Sequence, residues 1–186
     1  MFRISHYLHA LAQPPETSPA ASRKPSGPVV IWNLIRRCNL TCKHCYSISA
    51  DIDFPGELGT AEVYTVMDDL RDFGVPVLIL SGGEPLLRPD IYDISRRAKA
   101  LGFFVGLSTN GTLIDESRIG GISAVGYDYV GISIDGLRDT HDRFRRKAGA
   151  FDASLHAIRL CHQAGIKVGM RFTPTRDNAH ELPQIL

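Results

Sequence analysis

Cys38, Cys42 and Cys45 place three thiols within the stretch RRCNLTCKHC, and the chain has only one other cysteine, Cys161. Thiols this bunched do not suit ordinary disulfides, and a reducing compartment would keep them free. Three thiolates on one loop can wrap one face of a cubane iron–sulfur cluster, each binding a different iron. One iron then lacks a protein ligand and is open to a small molecule. A structural zinc site would want a fourth ligand. His44 sits beside Cys45, a poor position for a tetrahedral chelate shared with it. Cys161 is distant in sequence and reads as a buried apolar residue. A redox dithiol is a weaker reading still than zinc.

Further chemistry-bearing residues recur at intervals. Ser81-Gly82-Gly83-Glu84-Pro85 pairs two glycines with a carboxylate. Glycines let backbone approach a ligand closely, and Glu84 could accept from an ammonium group. A GG turn alone reads first as a simple turn into a helix; beside a cluster loop it reads as a ligand loop. Ser108-Thr109-Asn110-Gly111 alone would be a turn. Ser133 and Asp135, in Ser133-Ile134-Asp135-Gly136, would share one face of a strand, where both could hydrogen-bond ribose hydroxyls. Alone they read as strand-end capping. Arg145 could pair with a carboxylate, although a lone arginine there usually lies on the surface.

The elements that must position these residues alternate. VVIWNLI (29–35), VPVLILS (75–81), FFVGLST (103–109), YVGISID (129–135) and KVGMRFT (167–173) read as buried strands. Between them, Thr60 can cap a helix carrying Val63, Met67 and Leu70 and ending near Gly74. Asp90 can cap one carrying Ile91, Ile94, Ala98 and Leu101, closed by Gly102. Residues 115–125 read as a weaker helix, because Gly120 and Gly121 each cost about 1 kcal/mol against Ala. Residues 151–164 form another helix, and one more begins at Asn178. Strict βα alternation implies parallel strands with right-handed crossovers, and such folds gather chemistry at the C-terminal strand ends. Each motif above falls at such an end.

Residues 4–11 can form a short amphipathic helix, and AQPPETSPAASRKPSGP (12–28) reads as a flexible or extended lead-in. Order begins at Val29, giving a lead-in over 1–28 and a core over 29–186. The 186 residues suffice for a sizeable core, with 44% hydrophobic and 22% charged residues. A net charge of +1 points to neither nucleic acid nor an anionic membrane. Arg143, Arg145, Arg146 and Lys147 read as a solvated helix face. No apolar run approaches a membrane span, and MFRISHYLHALAQPP lacks a signal peptide's features, so a cytoplasmic location is expected.

The Cys-x3-Cys-x2-Cys spacing, together with GGEP, STNG and SIDG at successive strand ends, resembles the radical S-adenosylmethionine (SAM) superfamily from Val29 to the C-terminus. The resemblance implies a partial (β/α) barrel of about five βα units, with Cys38, Cys42 and Cys45 holding a 4Fe–4S cluster. The open iron would take the amino and carboxylate groups of SAM. Gly82, Gly83 and Glu84 match the motif that holds the SAM amino group, Ser108 and Asn110 fall in the strand-three motif, and Ser133 and Asp135 in the strand-four motif. Arg145 lies where related enzymes place an arginine for the SAM carboxylate. The implied reaction is reductive cleavage of SAM, with a reducing electron donor, to a 5′-deoxyadenosyl radical that abstracts hydrogen from substrate. Within the superfamily, MFRISHYL, GPVVIWNLIRRCNLTCKHCYS, DIDFPGEL, STNGTLID and YVGISIDG resemble the haem d1 biosynthesis branch. That implies removal of propionate side chains from a sirohaem-derived tetrapyrrole, with Arg143, Arg146 and Lys147 conceivable at a basic rim. Peptide-maturing relatives share much of this block, and an inactive cluster-binding fragment is a third reading. Neither the cysteines of a second cluster nor a sixth strand follows, so a truncated barrel is expected.

Overall fold

Every expected strand forms, each shorter than its apolar run. The computed structural model describes residues 27–186, so the helix expected over 4–11 and nearly all of the lead-in lie outside the described residues. The strands are β1 (Val29–Asn33), β2 (Val77–Ser81), β3 (Phe104–Thr109), β4 (Tyr129–Ser133) and β5 (Val168–Arg171). They pair in sequence order and in parallel throughout. The helices are α1 (Thr60–Asp72), α2 (Ile91–Ala100), α3 (Glu116–Val125), α4 (Arg138–Arg145), α5 (Ala150–Gln163) and α6 (Leu182–Ile185). An unbroken order of parallel strands with intervening helices is a sector of a (β/α) barrel. Among the described residues, no helix is long and apolar enough to cross a membrane.

The two sheet faces follow from alternation along each strand. One face carries Leu78, Leu80, Val105, Leu107, Val130 and Ile132, all at 0% exposure. The helices cover it with Val63 and Met67 of α1, Ile91, Ile94 and Ala98 of α2, Ile122 of α3, and Ala157 and Cys161 of α5. Cys161 is therefore packing, as its sequence position suggested, and burial pushes its thiol up to about 11. The other face is the barrel interior. There Val29 and Ile31 are about half exposed, while their neighbours Val30 and Trp32 pack into the core.

Four local details differ from expectation. Gly59, not Thr60, is the N-cap of α1: its N–H donates to Glu62 at 2.7 Å and its carbonyl accepts from Val63. Thr60 instead donates to Asp90 at 2.5 Å. Asp90 occupies the N-cap of α2, but its carboxylate makes no cap bond, being held by Arg88 and Thr60. The basic stretch at 143–147 ends a separate helix, α4, closed by Arg146 at φ 53. Arg143, Arg146 and Lys147 face solvent as expected, whereas Arg145 is buried. The helix expected from Asn178 begins as a single 3-10 turn before α6.

Candidate active site at the strand ends

Between β1 and α1 the chain makes a long loop, and its route is fixed by backbone hydrogen bonds rather than by secondary structure. Leu34 N–H donates to Ser81 and Cys38 N–H to Ala50, while Lys43 N–H donates to Phe144 in α4 at 2.8 Å. Gly83 and Glu84 N–H donate back to Ile35 and Arg37 at 2.6 and 2.9 Å. The two glycines make this docking possible. A Cβ on Gly82 would lie 2.3 Å from the Ile35 carbonyl oxygen, and one on Gly83 would lie 2.4 Å from those of Arg36 and Arg37. No side chain tolerates that approach. The GG pair therefore seals the cysteine loop onto β2, and both glycines also line the cavity above.

That cavity, about 390 Å³, is walled by Cys38, Cys42 and Cys45 on one side and by the ends of β2 to β5 on the other. Each thiol meets a different polar partner. Asn110 makes a long amide contact of 3.9 Å to Cys38, Arg145 approaches Cys42 at 3.5 Å, and Ser47 and Ser49 lie 3.2 and 3.7 Å from Cys45. Burial pushes Cys38 up to about 11 and also raises Cys42. Burial acts the same way on Cys45, but hydrogen bonds from Ser47 and Ser49 outweigh it and bring it down to about 7. Among the described residues, no three His, Cys, Asp or Glu side chains converge on a single metal ion.

Gly82, Gly83, Ser108, Asn110, Ser133 and Arg145 all line the cavity. Glu84 and Asp135 do not; both are 0% exposed and lie beneath it. Glu84 accepts from Thr109 Oγ1 at 2.8 Å and from the N–H groups of Asn110 and Leu86 at 2.9 and 3.1 Å. Burial raises its pKa against these donors. Its carboxylate thus ties the end of β2 to the end of β3. Asp135 differs from expectation because β4 stops at Ser133, so the alternation that put both side chains on one face no longer holds. The Asp135 carboxylate turns inward to Arg145, Thr173 N–H and His44. Burial alone would raise its pKa; the His44 hydrogen bond and the Arg145 charge outweigh it and hold the group below the usual carboxylate range. Arg145 is accordingly an anchored, buried cation rather than a surface residue.

Several residues of this network gave no sequence signal. His141 accepts the Asp135 N–H at Nδ1, and Asn178 donates to the carbonyls of Asp135 and Thr173. Asn39 and Thr112 complete a chain of side-chain hydrogen bonds around Asn110. Arg171, at the end of β5, enters the cavity and donates to Ser108. Its place at the end of the fifth strand is the one signal the sequence offered for it.

Comparison with known proteins agrees with this geometry. The family model described as the Radical SAM superfamily matches residues 32–186. The chain is 53% identical over its whole length to the pre-heme d1 synthase of Dinoroseobacter shibae, covering 46% of that protein. It is 48% identical over 162 residues to the Fe-coproporphyrin III synthase of Methanosarcina barkeri, or 87% of this chain and 41% of that one. Among solved structures, Streptococcus suis SuiB bound to S-adenosylmethionine matches at TM-score 0.72 and 17% identity, over 83% of this chain and 36% of that one. The chain thus spans about half the length of the curated relatives it matches.

Proposed function

The chain belongs to the radical SAM superfamily, and we propose that it forms the cluster- and SAM-binding core, from Val29 onward, of an enzyme acting on a sirohaem-derived tetrapyrrole in haem d1 biosynthesis. One observation carries this reading: three thiols and the polar ends of four parallel strands line a single cavity. The residues fit the family's 4Fe–4S cluster. A cubane takes one thiolate on each of three irons, which suits sulfurs that share a cavity without converging on one ion. Asn110 and Arg145 donate to Cys38 and Cys42, and the Ser47 hydroxyl can donate to Cys45, so each sulfur has a partner able to stabilise thiolate charge. When bound, the cluster and SAM supply a carbon-centred radical able to take hydrogen from an unactivated carbon.

The chain's own residues then position and shield. The Gly82-Gly83 backbone faces the cavity while its Cβ directions are closed by the cysteine loop, so what it offers a ligand is main-chain polarity. Glu84 acts through that backbone, by holding the turn, rather than by touching the ligand. Ser108 and Ser133 offer hydroxyls from the floor. The tetrapyrrole assignment rests on the pre-heme d1 synthase and Fe-coproporphyrin III synthase relatives, which align with most or all of this chain.

Anaerobic reconstitution with iron and sulfide, followed by EPR of the reduced protein with and without SAM, tests the reading. The expected result is a 4Fe–4S signal that changes on adding SAM, and a porphyrin-type absorbance shift on adding the tetrapyrrole. A cluster signal indifferent to SAM would remove the cofactor assignment. SAM cleavage without any response to tetrapyrrole would favour a peptide substrate instead.

A further inference from the structure

Among the described residues two arginines line the cavity, and they are not equivalent. Arg145 is 8% exposed, is ion-paired to Asp135 and reaches the Cys42 sulfur. Its charge is therefore already met within the protein. Arg171 has, among the described residues, only the Ser108 hydroxyl as a hydrogen-bond partner and no carboxylate within ion-pair distance. Among the described residues, no aspartate or glutamate lines the cavity. A guanidinium drawn part-way out of water without a counter-charge is unfavourable unless an anion joins it.

The sheet is also shaped around this side chain. In register, Arg171 lies opposite Ser133, and Gly131 lies opposite Ser108. To reach Ser108 on β3, Arg171 must cross β4, and it does so over Gly131. A Cβ at Gly131 would lie 2.7 Å from Arg171 Cδ. The missing side chain in β4 is the channel through which the arginine stem runs.

We propose that Arg171 is the carboxylate receptor of this cavity, a role open to it because Arg145 is committed to Asp135 and the cysteine loop. This rests on the function proposed above and assigns its anion contact to a residue that the family resemblance did not indicate. Guanidinium and carboxylate pair through two parallel hydrogen bonds. Two ligands of the proposed reaction carry a carboxylate: the methionine end of SAM and the propionate side chains of the tetrapyrrole.

The test uses the reconstituted chain and its Arg171→Met, Arg171→Lys and Gly131→Ala variants. SAM affinity is read from the EPR change of the reduced cluster, and tetrapyrrole affinity from absorbance titration. Propionate-bearing and propionate methyl-ester forms are compared. Arg171→Met is expected to weaken one carboxylate ligand by roughly 10- to 100-fold with iron content unchanged, and Arg171→Lys by less. Gly131→Ala, which displaces the stem but keeps the charge, should weaken the same ligand. A loss confined to SAM assigns the methionine carboxylate. A loss for the propionate form but not its ester assigns the substrate. Unchanged affinity for both ligands in Arg171→Met overturns the proposal. So does a change in the cluster's EPR signal without SAM and with ligand affinities intact, which would make Arg171 a counter-ion of the cluster. If the unsubstituted chain responds to neither ligand, the function itself falls and this assignment with it.

Discussion

On the helix-covered face of the sheet, Leu78, Leu80, Val105, Leu107, Val130 and Ile132 lie buried side by side. The opposite face of the same strands carries Ser81, Ser108, Gly131, Ser133 and Arg171. The first face is held by area removed from water, with each fully buried aliphatic side chain contributing about 1.5–3 kcal/mol. The second is held by directed contacts that reach across long sequence separations, such as Arg145 to Cys42 and Asn110 to Asn39. One face can therefore be altered at a stability cost with the site intact, and the other can lose its site with the fold intact.

The largest effect should come from separating the two faces outright. Cys42→Ala is expected to abolish cluster loading, measured as iron and sulfide per chain, while the urea midpoint of the metal-free protein stays near that of the parent. Leu107→Ala should do the reverse. A buried Leu→Ala typically costs about 2–5 kcal/mol, so its urea midpoint should fall sharply while iron per folded molecule is retained. If Leu107→Ala also emptied the site of folded molecules, the two faces would not be independent.

Gly83→Ala probes the seam between them. Its Cβ would fall 2.4 Å from two backbone carbonyl oxygens, which cannot swing away as a side chain can. Overpacking of this kind costs about 1–3 kcal/mol. The expected outcome is a modest fall in stability with a large fall in cluster occupancy, because the displaced strand is the cysteine loop itself. Retained occupancy would show that the loop is held by its Ala50 and Phe144 contacts instead.

The same contrast explains what could be read from the sequence. All five strands and the helix-facing residues were legible, because an apolar face needs only a period and a hydrophobicity. The cysteines and GG pair were legible because their chemistry or backbone demands a residue type. Asp135 misled because period-2 alternation was extended past Ser133, where the strand ends. Arg145 sits in a run of basic residues whose other members are exposed, so composition could not single it out. Its partner Asp135, the Lys43 to Phe144 hydrogen bond, and Arg171 crossing β4 to Ser108 depend on how distant segments meet. No local pattern encodes those meetings.

His141 offers a smaller, pH-dependent test of the directed network. Burial, aided by the Arg145 charge, pushes its pKa down to about 4, below an ordinary histidine near 6.5. The neutral ring accepts the Asp135 N–H at 3.0 Å, which a protonated ring could not do. On acidification the unfolded chain takes up the proton first. The His141 contribution is therefore complete above pH ~6.5 and is lost as pH falls toward about 4, a change on the order of 3 kcal/mol. His141→Asn keeps an acceptor without a titrating group. Its stability, followed by urea unfolding across this range, should lack that part of the slope. An unchanged slope would move the titration to another group.

The smallest effect is expected where neither rule applies. Gly120 and Gly121 are adjacent in α3, and both looked equally unfavourable for a helix. A Cβ on Gly121 would meet the Tyr92 ring of α2 at 3.1 Å, whereas one on Gly120 would meet nothing within 4 Å. Gly120 is exposed on a helix that Asp115 already caps through Ser117 and Arg118 N–H. Gly120→Ala should therefore stabilise the protein by about 0.5–1 kcal/mol, chiefly by restricting the unfolded chain. Gly121→Ala should gain less or lose, because the Tyr92 ring must shift to admit the methyl group. Thermal unfolding of the two variants side by side decides it. Equal gains would mean that the α2–α3 contact yields freely and that close packing on the helix-covered face stops short of its outer layer.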